Sequence, residues 1–99
     1  MDEKEYNTLC ESFFGELEGY LESLDGDFDF DNNGQICEIA LDDGRKIVVS
    51  RQPPLREIWL ADRSGGFHFR REGDDWIDTK SGESFRERLD ACLGIATGQ

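Results

Sequence analysis

Residues 16–31, ELEGYLESLDGDFDFD, carry seven carboxylates and no basic side chain. Carboxylates at such density suit two kinds of chemistry. They collect hard cations through oxygen, or they present negative charge to a basic protein surface. General acid–base catalysis fits less well, because an open charged face has no apolar wall to push one carboxyl's pKa away from its neighbour's. Glu18, Glu22 and Asp25 repeat at i, i+4 and i+7, the spacing of one helical stripe. Asp27, Asp29 and Asp31 alternate with Phe28 and Phe30, the spacing of one strand face. A helix flank and a strand face therefore merge into one acidic surface. Assembling it is costly: like charges at i, i+4 each cost a few tenths of a kcal/mol, and aspartate is a poor strand former. A cation, either metal or protein, relieves that cost. Glu18, Glu22, Asp25, Asp27, Asp29 and Asp31 are accordingly the candidate metal-binding residues.

The same spacing limits how the metal is held. Alternate residues on a strand face stand about 6.5–7 Å apart, so water must complete any ion's shell. Weak binding with little selectivity among iron, calcium, magnesium and manganese follows. Residues 29–40, DFDNNGQICEIA, match a calcium loop at Asp29, Asp31, Asn33, Gly34 and Ile36. Its twelfth position, where a bidentate glutamate is required, is Ala40, and no helix pattern follows, which argues against calcium sensing.

The acidity is local. Net charge is −12 over 99 residues, yet residues 1–31 alone balance at −10. Nucleic acid and anionic membrane both need a cationic footprint, so neither is an expected partner. The acidic start MDEKEYN has no apolar stretch after it, which reads against a secretory leader. Cys10, Cys37 and Cys92 lack metal-ligand spacing and fall on apolar stripes, the pattern of reduced, buried thiols in a cytoplasmic protein. No nucleophile–base motif, Gly-rich phosphate loop or Cys-x-x-Cys is present.

The elements that position these residues follow from periodicity. Tyr6, Leu9, Cys10, Phe13, Leu17, Tyr20, Leu21 and Leu24 predict an amphipathic helix over 4–24. Strands are expected at 27–31, 35–41, 46–50, 56–61, 67–70 and around Trp76-Ile77, with turns at Asn32-Asn33-Gly34, Asp42-Asp43-Gly44 and Gly65-Gly66. Pro53-Pro54 interrupts pairing. A closing helix opens near Ser81–Ser84 and runs to about residue 96. On 56–61, Ile58 and Leu60 claim the core, so Trp59 faces outward with Gln52 near it, the setting of a protein-interface anchor. His68, outward between two core phenylalanines, reads as a surface residue. The expected architecture is a single α+β domain over 1–99, a two-layer sandwich with both terminal helices on one face of an antiparallel sheet of about six strands.

Residues 51–69, RQPPLREIWLADRSGGFHF, and 74–85, DDWIDTKSGESF, resemble the bacterial frataxin (CyaY) family, with its RQ-x-P-L-x-x-x-W segment, GG-aromatic-H-F strand and W-x-x-x-x-SGE-x-F approach to the last helix. The acidic first helix and D-x-D-x-D strand resemble it too, so the likeness spans nearly the whole chain. The resemblance implies a helix–sheet–helix fold and weak binding of ferrous or ferric iron along an acidic ridge. It also implies docking on the iron–sulfur cluster assembly machinery: the cysteine desulfurase and the cluster scaffold protein. Gln52 and Trp59 are then the partner-binding residues, and the protein is a monomer or forms iron-dependent oligomers. The alternatives are a ferroxidase-type enzyme and an acidic interaction module that uses no metal. Ser50 stands where the family pattern usually shows asparagine, and Asn7 where some relatives carry histidine.

Overall fold

The computed structural model describes residues 1–24, 26 and 28–94; Asp25, Asp27 and the end of the expected closing helix lie outside that range. Helix α1 spans Glu3–Ser23, capped by Asp2, whose carboxylate accepts from the Glu5 amide. Strands follow at β1 (Phe28–Asn32), β2 (Ile36–Leu41), β3 (Lys46–Gln52), β4 (Glu57–Asp62), β5 (Gly65–Glu72) and β6 (Asp75–Asp78), and α2 covers Phe85–Leu93. The sheet is an antiparallel meander in sequence order, β1 to β6. Short hairpins permit this order without a crossover.

Tyr6, Cys10, Phe13, Phe14, Leu17 and Leu21 of α1 bury against the sheet's inner face, where Cys37, Ile39, Ile47, Val49, Ile58, Leu60 and Phe69 alternate inward. Phe13 packs edge-on against both Trp76 and Phe85, and Phe69 edge-on against Phe85, which joins both helices to the sheet. Tyr20 of α1 donates a 2.5 Å hydrogen bond to Asp90 of α2, and Arg86 covers its ring. The inner layer is thus closed by two helices, and among the described residues the other sheet face is left open.

Two local expectations change. The closing helix does not begin at Ser81. Asp78 accepts from the amides of Lys80 and Ser81, and Gly82 sits at φ 80°, so this stretch folds as a loop. Ser84 then bridges to Ile77 in extended conformation and caps α2 in a reciprocal pair with Glu87. Gly65-Gly66 belongs to β5 rather than to the turn, which forms at Arg63-Ser64, where Asp62 accepts from the Ser64 amide at 2.8 Å.

Candidate metal and docking surface

Strand β1 is the outer strand of the sheet on its side. Phe28 and Phe30 turn partly inward while Asp29 and Asp31 stay exposed, as alternation requires. Pairing with β2 sets Asp31 directly opposite Glu38 and Asp29 opposite Ala40. Directly opposed like charges on a strand pair destabilise it, so Glu38 extends the acidic surface at further cost. The sequence did not show it: a two-residue Asn33-Gly34 turn would set Asp31 opposite Ile36, whereas the register pairs Asn32 with Cys37 and so brings Glu38 opposite Asp31. Lys46, paired with Ala40, is the cation at this rim.

Helix α1 meets this edge through Asn32. Its amide donates to the Phe14 carbonyl at 3.0 Å and reaches Glu18 Oε1 at 3.4 Å. Burial pushes the Cys37 thiol up to about 11, and the charges of Glu18 and Asp31 add to the shift. Two carboxylates from different elements therefore act on one buried atom. Glu22 is exposed in the last turn of α1, which holds no basic residue, so its charge also opposes the helix dipole. Asp25 and Asp27 lie outside the described residues.

These oxygens suit a hard cation in kind but do not converge. Among the described residues, no three His, Cys, Asp or Glu side chains stand close enough together to hold an ion. The arrangement is an array along an edge, which concentrates cations and leaves water in their shells. The carboxylate oxygens fit iron in either state on that footing, and the protonated thiols offer no soft ligand.

A second surface lies on the open sheet face. Trp59 is half-buried, opposite Ser50 on β3 and His68 on β5. Gln52, two residues from Ser50 on β3, is also half-buried and reaches Ser50 Oγ at 3.4 Å. Tyr6 places this end of the sheet: its hydroxyl donates to the Glu57 carbonyl at 2.6 Å and accepts from the Gln52 amide at 3.1 Å. Glu57 is 6% exposed although its strand position faces outward. Its carboxylate accepts from Trp59 Nε1 at 2.8 Å and from Arg70 at 3.3 Å. Buried charge persists where it is paired and hydrogen-bonded in this way. Trp59 lies flat on His68, with ring centroids 4.2 Å apart and planes 8° apart. Sequence reasoning placed Trp59 and Gln52 on this face but missed Glu57, whose i, i+2 relation to Trp59 was the available signal.

An α+β helix–sheet–helix fold with a carboxylate-lined edge and an open face bearing a pinned tryptophan defines the class. Over residues 1–99 the chain matches the frataxin-like domain family, and it belongs to that family. Frataxin from Psychromonas ingrahamii, of the CyaY protein family, is similar at 30% identity and TM-score 0.88, over 94% of this chain and 89% of that one. The family's general role in iron handling and iron–sulfur cluster biogenesis extends to this protein at that level. Among the described residues no helix is long and apolar enough to cross a membrane.

Proposed function

We propose that this protein binds iron weakly along the α1–β1 edge, as cargo or signal rather than as a resident cofactor. We further propose that it docks in the cytoplasm on the cysteine desulfurase and cluster scaffold of iron–sulfur assembly. Glu18, Glu22, Asp25, Asp27, Asp29 and Asp31 form the metal surface, with Glu38 added; Gln52 and Trp59 belong to the docking surface. The observation that carries the reading is the opposed pair Asp31–Glu38, with Glu18 brought to the same edge by Asn32. The fold accepts a repulsion there that a cation would relieve. Docking uses charge to steer and Trp59 to anchor.

Amide NMR during titration with ferrous iron, or with calcium or cobalt in its place, tests the metal surface. Signals of residues 18, 22, 29, 31 and 38 should move or broaden first. Changes centred on His68 or Cys37 would place the metal elsewhere.

A further inference from the structure

The chain's one histidine is not a bland surface residue. His68 is 46% exposed in its side chain, stacks on Trp59, and holds Nδ1 3.9 Å from the Glu57 carboxylate. We propose that His68 is part of the Trp59 docking surface and couples docking to its own protonation, so that acidification weakens partner binding. This rests on the docking reading above.

Two effects push the same way. A protonated imidazole gains a cation–π contact with the indole face beneath it and attraction to Glu57. Protonation thus holds Trp59 down on the sheet. A partner that draws the indole into a pocket of its own must break that stack, and by reciprocity it lowers the proton's affinity for His68. The added positive charge also stands beside Arg70, where it repels a basic surface of the kind an acidic edge attracts.

The surroundings identify the groups that set this balance. From β4 there is Glu57, and from β5 Arg70, which shares the Glu57 carboxylate. On the β3 side, Ser50 and Gln52 face Trp59 and Glu57 and carry no charge. On the other flank His68 lines a groove of about 260 Å³ with Asp78, Lys80 and Arg88. The Asp78 carboxylate is occupied by the Lys80 and Ser81 amides, and Arg88 pairs with Glu83. Among the described residues, Glu57 is therefore the one carboxylate with a direct ion-pair approach to the imidazole. Histidine is also the side chain whose proton is exchanged between about pH 5 and 8.

A lone histidine makes the test direct, because one substitution removes every imidazole from the chain. Docking of the full chain on the cysteine desulfurase is measured at about pH 7.5 and 5.5 for wild type, His68→Gln and Trp59→Ala. Comparison with His68→Gln removes the partner's own titration. Wild-type affinity should fall about threefold further on acidification than that of His68→Gln. A pH-independent affinity ratio between wild type and His68→Gln overturns the coupling. If Trp59→Ala docks as tightly as wild type, the docking reading itself fails and takes the coupling with it.

Discussion

Burial pushes the thiol of Cys37 from an ordinary 9.0 to about 11, with Glu18 and Asp31 adding to it. At Cys92 burial again leads, followed by the hydrogen bond and charge of Asp62, and the thiol rises to about 12. Because both folded values lie above the unfolded one, the stability gained by keeping these thiols neutral is complete below about pH 9. It is lost as pH climbs through the folded values. The native protein should therefore resist iodoacetamide near pH 8 and become labelled only on unfolding, which mass spectrometry reads directly. A thiol labelled as fast in buffer as in denaturant would contradict the burial argument. The same chemistry keeps sulfur out of the proposed metal surface, which is left to oxygen.

Helix α1 is held by its packing rather than by its propensity. Gly15 and Gly19 sit inside it, and a methyl group added at either would meet nothing within 4 Å. Glycine in a helix interior gives up about 0.5–1 kcal/mol relative to alanine, partly through the unfolded chain's freedom. Gly15→Ala with Gly19→Ala should raise stability by about 1–2 kcal/mol, or about 5–10 °C in melting temperature. Calorimetry checks this, and an unchanged or lower melting temperature would show that the glycines serve something other than the helix. α2 presents the opposite case: Ser84 and Glu87 satisfy each other's backbone groups at its start, and Gly94 closes it at φ 77°. It is short but well capped.

Across the whole molecule, the α1–β1 edge should make stability depend on ionic conditions. Folding brings Asp31, Glu38 and Glu18 closer than an unfolded chain does, so their repulsion is a net cost at neutral pH and low salt. Added salt should raise the melting temperature by screening, and a divalent cation should raise it further by binding the native state. Indifference to both would mean that the carboxylates stay far enough apart to ignore one another. The two surfaces should also separate in docking experiments. Asp29→Lys with Asp31→Lys should weaken desulfurase binding and flatten its salt dependence. Trp59→Ala should speed dissociation with the salt dependence kept. Titrations at low and high salt distinguish them, and unchanged affinity in the folded charge-reversal variant would remove the edge from the docking surface.

Much of this was legible in local pattern. The alternation of Asp29 and Asp31 with Phe28 and Phe30 and the three-and-four spacing in α1 both record burial directly. Side-chain direction in a strand or helix depends only on near neighbours, so the order of elements and the acidic flank could be read residue by residue. What the tertiary structure alone decided is which distant groups meet. Register placed Glu38 against Asp31, Asn32 reached back to Glu18, and the β4–β5 pairing laid Trp59 on His68 above a buried Glu57. The start of α2 moved for a related reason: the Asp78 carboxylate captured the Lys80 and Ser81 amides, and Ser84 was held extended by its bridge to Ile77. Periodicity shows which way a side chain points. Cross-strand register and side-chain capture of backbone amides determine what it touches, and both depend on contacts made only when the chain has folded.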